Sequence, residues 1–136
     1  MEFKKILDSD FKVIPPFIAE ALAQIKKEFA PSQQEIFDLK LALEESITNA
    51  IKHGNKAHRD LNVEVTIRSR KNRLLLKVRD HGQGFDYRKV PDPTRQDRLM
   101  KTSGRGIFLI KKTMDEVTFL KNGREIRMVK VLKAKS

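Results

Sequence analysis

The sequence has no cysteine and no tryptophan, a single tyrosine, and only six glycines and five prolines in 136 residues. Without thiols there are no disulfides and no Cys-based metal sites, so stability has to come from a packed core. A chain of this length buries roughly two-thirds of its unfolded surface, enough for one domain. No stretch reaches the ~18 apolar residues of a membrane span. The opening Met1-Glu2-Phe3-Lys4-Lys5 has no apolar region behind it and does not read as a signal peptide. Repeats, low-complexity segments and linkers are also missing. These absences predict a single cytoplasmic domain over residues 1–136.

Positive charge is present in excess. Lys and Arg number 29 against 18 Asp and Glu, a formal net charge of +11. Such a surplus attracts polyanions, whether nucleic acid, acidic protein or nucleotide. The densest cluster is Arg68, Arg70, Lys71, Arg73, Lys77 and Arg79. It contains no aromatic residue, which weakens a base-stacking reading and makes direct nucleic-acid binding a poor expectation. A solvated basic hairpin would look the same.

Periodicity divides the chain into elements. A strand is expected over Phe3–Leu7, with a second short piece over Lys12–Ile14, ended by Pro15-Pro16. Pro16 suits the first turn of a helix, and Phe17, Ile18, Ala21, Leu22, Ile25 and Phe29 recur at helical spacing before Pro31. Ser32 and Glu35 form a capping box for a second helix over Gln33–His53, with Gly54-Asn55 as its stop. Ile36, Leu39, Leu43, Ile47 and Ala50 make its core stripe, while Glu45, Asn49, Lys52 and His53 share another face. Alternation over Leu61–Arg68 and Leu74–Val78 predicts a hairpin turning at Ser69–Asn72. A long loop then runs to about Ser103, and a third helix opens near Gly104. Two strands, Glu116–Leu120 and Glu125–Leu132, turn at Lys121-Asn122-Gly123. The order β-α-α-β-β-loop-α-β-β suits an α/β two-layer sandwich, with helices on one face of a mixed, mostly antiparallel sheet.

Three segments could carry chemistry. Glu45 and Asn49 point the same way from neighbouring helical turns. Beside a nucleotide, the amide could complete the shell of a Mg²⁺ and the carboxylate could accept a proton. Lys52, at nearly the azimuth of Glu45, could neutralise phosphate. In Asp80-His81-Gly82-Gln83-Gly84-Phe85, the glycines let a ligand approach the backbone and the aspartate can accept a bond from an exocyclic amine. In Ser103-Gly104-Arg105-Gly106-Ile107, glycines open a helix whose free N–H groups welcome phosphate, with Arg105 adding a cation. The spacing is neither a Rossmann fingerprint nor a Walker A loop. Taken singly, a soluble helix face, a glycine turn and a glycine cap would show the same residues.

Taken in order, the three segments resemble the boxes of the Bergerat-fold ATPase superfamily, which includes gyrase, histidine kinases and mismatch-repair ATPases. Glu45 to Gly54 is similar to the N box, Asp80 to Phe85 to the first glycine box, and Gly104 to Phe108 to the second. The run Gly106-Ile107-Phe108-Leu109-Ile110 leading to Met114-Asp115-Glu116, together with His53-Gly54, resembles the stand-alone anti-sigma factor serine kinases, called RsbW-like. The resemblance implies Glu45 as general base and Asn49 as Mg²⁺ ligand. It implies Asp80 as the reader of adenine, with Gly82 and Gly84 lining that pocket. Gly104, Arg105 and Gly106 would cradle phosphates, with Ser103, Ile107, Lys52 and His53 nearby and residues 86–103 as an ATP lid. The cofactors implied are ATP and Mg²⁺. The partners implied are a sigma factor and an anti-anti-sigma protein of the STAS type, phosphorylated on serine, and such proteins commonly dimerise. A nucleotide-gated binding module without kinase activity fits every one of these residues except Glu45 equally well. The +11 charge is not explained by any of the boxes.

Overall fold

The computed structural model describes residues 1–55, 61–82 and 102–136. Strand β1 (Glu2–Asp8) leads through a 3₁₀ turn into helix α1 (Ile14–Glu28), followed by α2 (Gln33–Asn49). Strands β2 (Asn62–Arg70) and β3 (Arg73–Asp80) form a hairpin, then come α3 (Thr102–Thr113), β4 (Glu116–Leu120) and β5 (Glu125–Val131). The strands lie in the order β1-β2-β3-β5-β4. The α/β sandwich is as expected, and every described pairing in its sheet is antiparallel.

Local chemistry sets the ends of these elements. Ser32 Oγ accepts from the Glu35 N–H at 3.1 Å while Glu35 Oε1 accepts from the Ser32 N–H at 2.9 Å, the reciprocal capping box that starts α2. The expected second strand piece at Lys12–Ile14 is instead a 3₁₀ turn over Phe11–Val13. Asp10 accepts from the Lys12 N–H at 3.0 Å there, a side-chain bond that closes the backbone into a turn. The prolines then occupy the first helical positions of α1, where no N–H partner is needed. The β2–β3 turn is tighter than the four residues anticipated, because both strands extend until only Lys71 and Asn72 separate them, with Lys71 at φ 56°. At the other hairpin Lys121, Asn122 and Gly123 all take positive φ.

One core joins the helices to a single face of the sheet. Leu39, Leu43 and Ile47 of α2 are fully buried, as are Val63, Val65 and Ile67 of β2 and Leu74 and Leu76 of β3. Ile110 of α3 and Ile25 of α1 complete it, and Ile36 packs at its margin. Burying a side chain of this size is worth about 1.5–3 kcal/mol. One ion pair sits at the edge of the core: Lys130 Nζ lies 3.0 Å from Asp38 Oδ2 and also donates to the Thr113 carbonyl. It ties β5 to α2 and to the end of α3, and each side chain is only 12% exposed. The C-terminal residues clamp the end of α1 through Ala30 N–H to the Lys133 carbonyl at 2.9 Å. No helix among the described residues is long and apolar enough to cross a membrane.

Candidate functional site

The second helix does not run unbroken to His53. It is α-helical to Asn49 and widens into a π-helical turn over Ala50–Gly54. A π turn holds more residues than an α turn and recurs at functional sites. The spacing of about 100° per residue that set Lys52 over Glu45 therefore stops applying beyond Asn49. Lys52 is exposed. Asn49 is 7% exposed and Glu45 half-buried, so this face of α2 is not a solvated stripe.

What covers it is α3. Gly106 passes so close to Glu45 that a Cβ there would run into Glu45 Oε2 and lie 3.3 Å from its carboxyl carbon. Burial raises the pKa of Glu45, the neighbouring Glu44 raises it further, and Arg105 of α3 pulls it back down. The segments that resemble the N box and the second glycine box, far apart in sequence, thus meet at Glu45. Ile107 is buried beside them and Arg105 is exposed. Ser103 and Gly104 fall in the first turn of α3, and the side chains of Ser103 and His53 lie outside those described.

One turn further along, Ser46 and Asn49 of α2 and Ala50 of the π turn form one wall of a narrow pocket. Val78 and Asp80 of β3, Phe119 of β4, Gly123, Arg124 and Ile126 form the rest. Asp80 is the last residue of β3 and 3% exposed. Its Oδ1 accepts from the Gly82 N–H at 2.9 Å, and its own N–H donates to the Arg124 carbonyl at 2.8 Å. Desolvation raises its pKa, while the Gly82 N–H and the charges of Arg124, His81 and Arg79 oppose the rise. An apolar slot with one buried carboxylate is the kind of site that receives a flat heterocycle bearing an amine. The residues present therefore fit a purine nucleotide. Among the described residues no cluster of three or more His, Cys, Asp or Glu could hold a metal by itself. Asn49 and Glu45 are the donors available to a cation brought in with phosphates.

The sequence marks Asn55 only as a helix stop, yet it is fully buried. Its Nδ2 donates to Ser9 Oγ at 2.9 Å and to the Asn62 carbonyl at 3.0 Å, and its Oδ1 accepts from the His81 N–H at 2.9 Å. Its own N–H closes the π turn on the Ala50 carbonyl at 2.7 Å. One amide thus joins the end of the N box to the start of the first glycine box, next to Asp80. No local pattern announces this role, because the partners come from three other segments. Phe119, Gly123 and Arg124 were missed for the same reason: the pairing of β3 with β5 brings the β4–β5 turn to the pocket. Gly84 and most of the expected lid, from residue 86 to 101, lie outside the described residues.

Comparison with known proteins places this geometry. Residues 14–130 match the model of the histidine kinase-like ATPase domain. The chain belongs to that family. Within it, this ATPase domain is 32% identical over 110 residues to the serine-protein kinase RsbW of Staphylococcus epidermidis, covering 75% of this chain and 69% of that protein. It is 33% identical over 122 residues to RsbW of Listeria innocua, covering 85% and 78%. A solved structure of the RsbU and RsbW domains of a Mycobacterium tuberculosis protein has the same fold, with a TM-score of 0.59 at 14% identity. It matches 98% of this chain, which spans about a third (32%) of that longer one. The RsbW-like ATPase domain is therefore a nucleotide-using fold, with Asn49 and Asp80 in one pocket and Glu45 one helical turn away.

Proposed function

We propose that this domain is a cytoplasmic protein-serine kinase that uses Mg-ATP to phosphorylate an anti-anti-sigma partner of the STAS type, and that it holds a sigma factor when that partner is phosphorylated. Bound Mg-ATP supplies the phosphoryl group and the cation that offsets its charge. Asp80 would accept a hydrogen bond from the adenine amine, with Gly82 and Gly84 the glycines proposed for that pocket. Asn49 would offer its amide oxygen to the magnesium. Ser103, Gly104, Arg105, Gly106 and Ile107 receive the phosphates at the start of α3, assisted by Lys52 and His53. Glu45 accepts the proton of the attacking serine hydroxyl.

The observation that carries this reading is the setting of Glu45. Gly106 of α3 packs directly on its carboxylate, and burial there raises its pKa from the ordinary glutamate value, the direction that makes a carboxylate a better proton acceptor. The naming of the Staphylococcus and Listeria relatives as serine-protein kinases supports the same assignment. The test is transfer of label from γ-³²P-ATP to a purified STAS protein, with the acceptor residue located by mass spectrometry. Label on one serine of that protein, absent with Glu45→Ala, is the expected result. Nucleotide-dependent binding of the STAS protein with no transfer by the natural sequence would leave a gated binding module instead. A homodimer is the proposed working form, measurable by sedimentation.

A further inference from the structure

The second face of the sheet is not the one that joins the core. Side chains alternate along each strand, so the residues between those of the core project here, and the register lines them up in rows. Arg70 stands opposite Arg73, Arg68 opposite Leu75, and Thr66 opposite Lys77. Leu75 in turn faces Val129, and Lys77 faces Arg127. Two of these directly opposed pairs, Arg70 with Arg73 and Lys77 with Arg127, join like charges, an arrangement that destabilises an antiparallel ladder. Neither pair packs in the core, so burial does not account for their being set opposite each other.

Acidic neighbours relieve part of the repulsion. Glu2 lies 3.2 Å from Arg68, Glu125 lies 2.8 Å from Arg127, and Glu116 pairs with Arg73. Arg70 and Lys77 have no ion pair among the described residues. Between the cations runs an open groove of about 480 Å³, walled by Arg68, Arg70 and Arg73, with Leu75 and Val129 inside it. A second hollow continues it past Thr66, Lys77 and Arg127, sharing Arg68 and Leu75.

We propose that this face docks an acidic segment of a partner protein, with an aliphatic side chain seated on Leu75 and Val129 and carboxylates against Arg70, Arg73 and Lys77. The mixture of surfaces selects that occupant. A polynucleotide would use the cations but leave an aliphatic floor without a base to stack, since the residues of the groove include no aromatic ring. A second copy joined by a twofold axis would set this cationic surface against itself. An acidic protein segment satisfies both the charge and the floor, and it gives the +11 surplus a use that the nucleotide pocket does not supply.

The test is fluorescence anisotropy with the full chain and a fluorescein-labelled 15-residue peptide of glutamate with leucine at every third position. An all-glutamate peptide and a single-stranded 15-mer DNA serve as controls. The mixed peptide binds more tightly than either control. The double variant Arg70→Glu, Lys77→Glu weakens it by roughly tenfold or more. Leu75→Ser weakens it by about threefold or more without a change of charge. Circular dichroism and thermal melting verify that each variant is folded. Absence of peptide binding, or undiminished binding by the folded double variant, overturns the proposal. DNA binding equal to that of the mixed peptide makes the face a polynucleotide surface instead. A change of oligomeric state on charge reversal makes it an interface between copies.

Discussion

The two faces of the sheet are built from alternate residues of the same strands, and they are organised by opposite rules. On β3 the covered row is Leu74, Leu76, Val78 and Asp80, all buried. The open row is Arg73, Leu75, Lys77 and Arg79, with three cations among four residues. On the covered face charge is admitted only with partners: Asp38 with Lys130, and Asp80 with the Gly82 N–H. On the open face Arg70 stands opposite Arg73 and Lys77 opposite Arg127, alongside the opposite-charge pairings of Arg79 with Glu64 and Glu125. The covered face is therefore shaped by burial and ends in the candidate pocket, where its apolar row terminates at a carboxylate. The open face bears charge that burial does not explain, and such local conflict marks surfaces kept for function.

Substitutions can sharpen this contrast. The largest effect is expected at Glu45→Ala, which lowers phosphoryl transfer by about two to four orders of magnitude while sparing nucleotide affinity, as measured by single-turnover kinetics and calorimetry. Full transfer would remove Glu45 from the role of base. Asp80→Asn, at the end of the covered row, should weaken ATP by roughly 10- to 100-fold in calorimetry, the worth of a charge-assisted hydrogen bond. Unchanged affinity would move the adenine contact elsewhere. Asp38→Ala leaves Lys130 without its carboxylate at the edge of the core, and urea unfolding should show a loss of about 3 kcal/mol.

The pH dependence of transfer probes the same edge of the covered face. Transfer needs Glu45 ionised, so the rate falls as pH drops through its pKa. Because burial raises that pKa, the acid limb is displaced to higher pH than an ordinary glutamate would give. Arg105 lowers the pKa, so Arg105→Ala moves the limb to still higher pH at saturating ATP. A limb unmoved by the variant would separate the two residues. The smallest effect belongs to the open face. Lys77→Glu replaces a like-charge pair with an opposite-charge pair facing Arg127, and thermal melts should show stabilisation of about 0.2–1 kcal/mol. Destabilisation would mean that Lys77 supports the sheet rather than opposing it.

Local chemistry was legible wherever neighbours in sequence are also partners in space. Ser32 and Glu35 cap α2 across three residues, Lys121-Asn122-Gly123 supply the positive φ of one turn, and the alternation of β2 and β3 was read within two residues of each end. The boxes around Glu45, Asn49 and Asp80 were visible for the same reason, as short ordered runs. Asn55 was not, because its partners Ser9, Asn62 and His81 lie in other segments. The π turn after Asn49 was hidden as well, since the residues Ala50 to Gly54 are compatible with an ordinary helix end.

By itself the sequence determined the order of elements, the apolar stripes, the helix caps and the family, since each depends on residue types at short fixed spacings. Tertiary structure decided what those pieces do together. The register of β2, β3 and β5 chose which residues share a face, bringing Arg124 to Asp80 and Lys77 opposite Arg127. The packing of α3 against α2 put Gly106 on Glu45. Those contacts join residues distant in the chain, and they exist only where burial of one common core holds the elements against one another.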